Sequence, residues 1–133
     1  MTESETPPTE SDDPVAAEWR RIREMDRQYI NKELVEAAYA DPVLARLFPL
    51  VSHCSLQFSR CTRYPWSGDL PSVFPYGGEL FYVALALEPG APRRERIGGP
   101  VTAEQAVELL ARHLPAGCGP AVDGTPDVLE PLG

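Results

Sequence analysis

The chain of 133 residues contains 43% hydrophobic residues, which suffices for one modest core, so we expect a single domain. Its formal net charge is −8, and the acids of residues 1–13 and 119–133 account for the whole surplus, because neither segment contains lysine or arginine. The balanced body argues against nucleic-acid binding, which needs an excess of cations. No apolar run reaches the roughly 18 residues of a membrane span, and the acidic N-terminus is unlike a signal peptide, so we expect a cytoplasmic protein without a membrane partner.

The two ends have the composition of segments that do not fold on their own. Residues 1–13 combine Pro, Ser, Thr, Glu and Asp, and we expect a disordered acidic tail. Residues 117–133 are rich in Gly and Pro and are expected to form a flexible tail. The sequence therefore predicts a single folded domain over residues 14–116.

Helical patterns fill the first third of this domain. Apolar residues recur at three- and four-residue steps over residues 15–30, which predicts an amphipathic helix that begins at Asp13-Pro14. A second helix is expected over residues 34–39. Asp41 and Pro42 then restart the helical pattern, which extends to Phe48, because Asp caps helices and Pro favours their first position.

The pattern changes to alternation after Pro49. Residues 55–61 alternate and predict a strand with one buried face. Two further strands, residues 72–76 and 79–87, are expected to be joined by a tight turn at Gly77-Gly78, and residues 94–97 are a candidate edge strand. Thr102 and Gln105 form a capping box that begins a final helix before Pro115. These elements predict an α+β fold, in which N-terminal helices precede a small antiparallel sheet of three to four strands and the C-terminal helix packs on the sheet.

Residue types that bind metals or act as nucleophiles are dispersed along the chain. Three cysteines without a Cys-x-x-Cys pair are predicted to be free thiols. Cys54 and Cys61 lie seven positions apart on an apparent strand, a separation of roughly 23 Å that is too long for one shared ion. His53 adjoins Cys54, but adjacent strand residues point to opposite faces, and His113 fits a packed helix residue better than a catalytic base. We therefore predict no metal, no cofactor and no catalytic residue.

Residues 60–76 concentrate arginines and aromatic residues among prolines. Tyr and Trp offer large contact areas, and Arg offers a planar fork for a carboxylate or phosphate, so this composition is typical of a recognition patch. The candidate binding residues are Arg60, Arg63, Tyr64, Trp66, Asp69 and Tyr76. The alternative is a self-packed loop that closes the sheet, in which Arg60 or Arg63 pairs with Asp69. Packing is the simpler interpretation, because an aromatic loop in a small domain must pack somewhere.

Four segments of the chain carry a resemblance to a known family. FSRCTRYPWSGDLP, FYVALAL, TAEQAVELLARHLP and GCGPAVDGT resemble small actinobacterial proteins of unknown function that are labelled natural-product biosynthesis proteins. The resemblance extends from residue 34 to residue 125, and the dominance of arginine over lysine agrees with a high-GC genome. The label implies a pathway neighbourhood and assigns no catalytic residue.

These observations together predict a non-catalytic accessory or binding protein of a natural-product pathway, with a protein or a small molecule as its partner. One alternative is a small cofactor-independent enzyme that uses Asp69 or His53 as acid or base. Another is a structural subunit that docks on a larger protein through its amphipathic N-terminal helix.

Overall fold

The computed structural model describes residues 13–63, 66–86, 94–115 and 118–125. In chain order the elements are helices α1 (Pro14–Arg23) and α2 (Lys32–Tyr39), a single 3-10 turn (Leu44–Arg46), strands β1 (Phe48–Ser52), β2 (Ser55–Ser59), β3 (Ser72–Gly77), β4 (Leu80–Ala86) and β5 (Arg94–Val101), and helix α3 (Ala103–Arg112). The predicted α+β class is confirmed. The described sheet has five antiparallel strands, however, so the predicted count of three to four was wrong.

Each strand of the sheet pairs with its neighbours in sequence, in the order β1-β2-β3-β4-β5. Connections in such a meander alternate between the two ends of the sheet. The turns at residues 53–54 and 78–79 lie at one end, which we call the turn end. The connection from β2 to β3, residues 60–71, lies at the opposite end, which we call the loop end. This topology decides which of the predicted site residues can meet.

A layer of helices covers one face of the sheet. α1 packs on β1 and α2, α2 packs on α3, and α3 packs on β3, β4 and β5. The core between the two layers includes Trp19, Ile22, Leu34, Leu56, Val73, Val83 and Leu110. Successive strand residues point to opposite faces, so the neighbours of these core residues along the strands lie on the other side of the sheet. That side, which we call the open face, carries no helix among the described residues.

Helix α1 is shorter than the predicted helix over residues 15–30, because it ends at Arg23. The Lys32 ammonium donates to the main-chain carbonyls of Arg23 and Met25, which satisfies carbonyls that a longer helix would have used. The Asp26 carboxylate accepts from the backbone N–H of Gln28 at 3.0 Å and favours a turn there. The apolar pattern of the sequence continues to Ile30, beyond the end of the helix, because Ile30 is also buried in the core.

The third predicted helix, which was expected to extend to Phe48, is reduced to a 3-10 turn, and a strand begins at Phe48. The Asp41 carboxylate caps the N–H groups of Val43 and Leu44 as expected, at 2.9 and 3.0 Å. Only a 3-10 turn follows, since a residue that precedes proline disfavours helical backbone, and Phe48 precedes Pro49. Phe48 therefore begins β1, an edge strand in which a proline is tolerated.

Two hairpin turns flank the open face at the turn end. The predicted tight turn between β3 and β4 is present, but it lies one position later than predicted, at residues 78–79, with Gly78 in the left-handed region at φ +59° and Gly77 paired with Leu80. The prediction that His53 and Cys54 are strand residues was wrong. They form a two-residue turn between β1 and β2, with φ values of 51° and 66° that non-glycine residues seldom adopt. The predicted capping box of Thr102 and Gln105 is confirmed at the start of α3.

The chain ends were predicted to be tails. Residues 1–12 and 126–133 lie outside the described residues, while Asp13 accepts hydrogen bonds from Val15 and Ala16 as the N-cap of α1. Residues 118–125 hydrogen-bond to the loop end, as detailed below. In the described part of the chain, no helix is long and apolar enough to cross a bilayer.

Candidate functional site

The loop end is held by main-chain hydrogen bonds to a distant segment, residues 118–125. The N–H groups of Thr62 and Arg63 both donate to the carbonyl of Gly124, at 3.1 and 2.9 Å, and the N–H of Val122 donates to the carbonyl of Arg60 at 2.8 Å. Cys61 and Val122 form a parallel bridge. These bonds fix the backbone of residues 60–63 although nearly sixty positions separate the two segments.

Thr62 adds a side-chain connection between the same two segments. Its hydroxyl donates to the Asp123 carboxylate at 2.7 Å and accepts from the N–H of Gly124 at 2.9 Å. Thr62 is buried, Asp123 is exposed, and both bonds are therefore partly shielded from water. The hydroxyl thus satisfies a backbone donor that would otherwise have no partner in this connection.

An ion pair lies inside the loop end. The Arg60 Nε donates to Asp69 Oδ2 at 2.9 Å, and only 13% of the Arg60 side chain and 19% of the Asp69 side chain are exposed. The second carboxylate oxygen, Asp69 Oδ1, is buried and has no hydrogen-bond partner among the described residues. Removing the Arg60 guanidinium would leave the Asp69 carboxylate largely buried without this partner, which is a costly arrangement.

Serine hydroxyls and an aromatic stack complete the packing of this loop. The Ser59 hydroxyl accepts from the N–H groups of Cys61 and Ser67, at 3.2 and 3.0 Å, and the Ser67 hydroxyl accepts from the N–H of Arg60 at 3.0 Å. The Trp66 ring stacks on Phe48 of β1 with centroids 5.4 Å apart and planes 21° apart. The loop therefore packs on its own sheet, as the packing interpretation expects.

Three thiols occur in the described structure, and all are free. Cys54 is exposed in the β1–β2 turn, Cys61 is buried and Cys118 is half-buried near the ion pair. Burial is the largest influence on the Cys118 thiol and raises its pKa, Arg60 lowers it, and Asp69 raises it, with a net increase. A raised pKa leaves little thiolate at neutral pH, so Cys118 is poorly suited to nucleophilic chemistry. In the described ranges no three His, Cys, Asp or Glu side chains group closely enough to hold a metal ion.

The structure divides the six predicted binding residues into separate groups. Arg60, Trp66 and Asp69 are drawn together within the loop end. Arg63 is exposed there, and its guanidinium makes no ion pair with the described residues. Tyr64 lies outside the described residues. Tyr76 is four positions beyond Ser72 along β3, which places it roughly 13 Å away, toward the turn end.

Two features escaped prediction from the sequence. One is the role of residues 118–125 in holding the loop end, since no local pattern reveals a contact across sixty positions. The other is a cluster on the open face that joins Tyr76 with Phe74, Tyr82 and Arg96. Strand alternation places Phe74 and Tyr82 on one face. The register between strands brings Arg96 beside them, and this register cannot be predicted from neighbouring residues in the sequence.

The only acid–base candidates raised by the sequence lie far apart. His53 is in the turn end, where its Nδ1 lies 3.1 Å from the Ser52 hydroxyl, whereas Asp69 is in the loop end.

A groove of about 770 Å³ lies between α2 and α3, with Ala37, Ala40, Val107 and Ala111 among its lining residues. None of the predicted site residues that the structure describes lines this groove.

The fold and the loop end define a small α+β protein with a five-stranded antiparallel meander, one helix-covered face and a connecting loop tied to a C-terminal segment. The chain belongs to a family of unknown function, DUF6193, whose model matches residues 13–125. The match starts at the N-cap of α1, so this helix belongs to the family's domain although the four resembling segments begin later. No curated protein and no solved structure matches the chain.

Proposed function

We propose that this protein is a non-catalytic accessory binding protein that acts in the cytoplasm beside a natural-product pathway. Its contact surface would be the loop end, with Arg63 as the charged anchor and Trp66 as the aromatic one. The observation that carries this proposal is the contrast between two arginines of the loop. Arg60 forms an ion pair with Asp69, whereas Arg63 is exposed on a backbone that is fixed by hydrogen bonds to Gly124. A rigid backbone lowers the entropy lost on binding, so such an arginine is well suited to recognition.

The pathway assignment rests on sequence resemblance. The RCTRYPWSGD segment and the GCGPAVDGT segment carry most of the resemblance, and in the fold they are the two segments that hydrogen-bond to each other at the loop end. The most distinctive sequence of the chain is therefore collected at one place. This collocation supports a shared task for the loop end in proteins with this sequence.

The enzyme alternative receives less support from the geometry. Asp69 and His53 lie at opposite ends of the sheet and cannot act on one substrate. Asp69 is also engaged by Arg60, and the raised pKa of Cys118 disfavours a thiolate nucleophile.

The docking-subunit alternative requires an accessible apolar face on α1. Trp19 and Ile22 of that face are instead buried in the protein's own core, and the Trp19 indole N–H donates to the carbonyl of Leu47 at 3.1 Å. The amphipathic pattern of α1 is accounted for by this internal packing.

Arg63→Ala tests the proposal directly. We expect this variant to keep the wild-type thermal unfolding curve and to lose the proteins or metabolites that co-purify with wild type from its native host, as seen by mass spectrometry. Arg112→Ala is the matched control, because the Arg112 side chain is 68% exposed on α3 and is not one of the candidate binding residues. Undiminished co-purification by a folded Arg63→Ala variant would contradict the proposal.

Trp66→Ala separates recognition from packing at the same surface. If Trp66 mainly closes the loop, its loss should destabilise the protein by about 3 kcal/mol through the lost contact with Phe48. If it mainly contacts a partner, the protein stays folded and binding is lost. Circular dichroism melts beside the co-purification assay distinguish the two outcomes.

A further inference from the structure

The open face carries a cluster of aromatic rings around Arg96. Phe74 of β3 and Tyr82 of β4 are paired across the strands, and their rings stack with centroids 5.3 Å apart and planes 21° apart. The guanidinium carbon of Arg96, on β5, lies 4.5 Å from the centroid of the Tyr82 ring and 5.4 Å from that of Tyr76. Three neighbouring strands thus contribute to one cluster.

Within the described part of the chain, aromatic rings rather than a carboxylate hold the arginine of this cluster in place. Arg96 is exposed, and among the described residues no carboxylate lies within ion-pair distance of it. A guanidinium that lies over an aromatic ring is attracted through its planar face, so its N–H groups, which lie around the edge, remain able to donate. Arg96 therefore presents donors on an aromatic support.

The backbone beneath the cluster has little freedom to move. Between β4 and β5 the register shifts, and Gly99 approaches β4 so closely that a Cβ atom on it would lie 2.6 Å from the Cα of Tyr82. Gly99 also has a φ of +123°, a backbone conformation that residues other than glycine rarely adopt. Close packing of the two strands fixes the positions from which Tyr82 and Arg96 extend.

Apolar surface adjoins the arginine. Tyr76 is 52% exposed, and Leu80 at the start of β4 is exposed as well. Large exposed rings beside an arginine are a composition typical of recognition surfaces rather than of ordinary surface. A ligand that reaches Arg96 can therefore place an apolar or aromatic body against Tyr76.

The geometry points to a binding site for a small aromatic carboxylic acid on the open face, at Arg96, Tyr76 and Tyr82. The carboxylate accepts two N–H bonds from the edge of the Arg96 guanidinium, and the ligand ring lies against the exposed tyrosine ring. A monovalent carboxylate matches the one arginine that the described side chains place in this cluster, whereas a phosphate dianion would leave one charge uncompensated. This site goes beyond the proposed function, because it uses Arg96 on the open face rather than Arg63 at the loop end.

Benzoate is the probe for this site, and binding is followed by NMR at the ring protons of Tyr76 and Tyr82 and at the Arg96 Nε–H. Benzamide keeps the ring without the charge, and acetate keeps the charge without the ring. We expect saturable shifts of these signals with benzoate and an affinity at least about tenfold lower for each of the other two compounds, since each lacks one interaction.

Variants of the arginine complete the test. Arg96→Gln should weaken benzoate binding by about tenfold to a hundredfold, and Arg96→Lys, which retains the charge without the planar fork, should weaken it less. Arg112→Gln, an exposed arginine on α3, should leave it unchanged. The proposal is overturned if millimolar benzoate does not shift the tyrosine signals, if benzamide or acetate binds as well as benzoate, or if Arg112→Gln weakens binding as much as Arg96→Gln.

Discussion

Two regions of this molecule use arginine and aromatic residues in opposite ways. At the loop end, Arg60 is mostly buried and bonded to Asp69, and Trp66 stacks on the protein's own Phe48. On the open face, Arg96 is exposed over Tyr82 with no carboxylate beside it in the described structure. The same residue types thus pack against each other at the loop end, whereas on the open face they leave the N–H donors of Arg96 accessible.

The contrast shows that composition alone does not identify a recognition surface. The charges of a buried pair have lost their water and depend on each other, so such a pair mainly determines how the loop is arranged. An exposed guanidinium on an aromatic ring keeps most of its hydration and its hydrogen-bonding capacity. Burial and partners, which the sequence does not display, therefore decide which arginine is available for a ligand.

Breaking the buried pair should give the largest effect on stability. Asp69→Asn keeps the shape but removes the charge that pairs with Arg60, in a site where only 13% of the Arg60 side chain is exposed. We expect the free energy of unfolding to fall by about 3 kcal/mol, measured by urea denaturation.

An exposed pair provides the matched control for this variant. Glu108 and Arg112 lie 3.5 Å apart on α3, with side chains 69% and 68% exposed. Glu108→Gln should cost no more than about 0.5 kcal/mol, because solvent screens the pair. Equal losses in Asp69→Asn and Glu108→Gln would show that the loop-end pair is not important for stability.

The link between the loop end and residues 118–125 should give an intermediate effect. Thr62→Val keeps the volume but removes the hydroxyl that bonds both Asp123 and the N–H of Gly124. We expect a loss of about 1 to 2 kcal/mol in urea denaturation, since a partly buried N–H loses its partner. Asp123→Asn keeps an acceptor oxygen for the hydroxyl and should cost less. A Thr62→Val protein as stable as wild type would mean that the main-chain bonds alone hold this segment.

Much of the fold could be predicted from local patterns. The capping box at Thr102, the turn at Gly78 and the α+β class follow from residue types at short spacing, and the structure confirms them. The errors arose where distant groups decide the outcome. Lys32 ends α1 by reaching back to Arg23, and sheet pairing makes Phe48 a strand residue.

The candidate site was predicted less completely than the fold. The sequence selected residues 60–76 because of their composition, and it offered pairing of Asp69 with Arg60 as one alternative, which the structure contains. It grouped Tyr76 with the loop residues, although the predicted strand over residues 72–76 already carries Tyr76 away from the loop and toward the next turn. It could not associate Tyr76 with Arg96, since twenty positions and the register of three strands lie between them.

The smallest expected effect on stability concerns Arg96, and it tests the comparison from the other side. Arg96→Gln removes a guanidinium that contacts two tyrosine rings but has no charged partner among the described residues. An exposed cation–π contact contributes about 0.5 to 1 kcal/mol, so the free energy of unfolding should fall by no more than that. Arg60→Gln, the same substitution at the loop end, should cost several times as much, because it leaves Asp69 buried without its partner. Urea denaturation of the two variants side by side measures the difference. A loss at Arg96 as large as that at Arg60 would mean that the open-face arginine is part of the protein's own packing, and it would remove the distinction between the two regions.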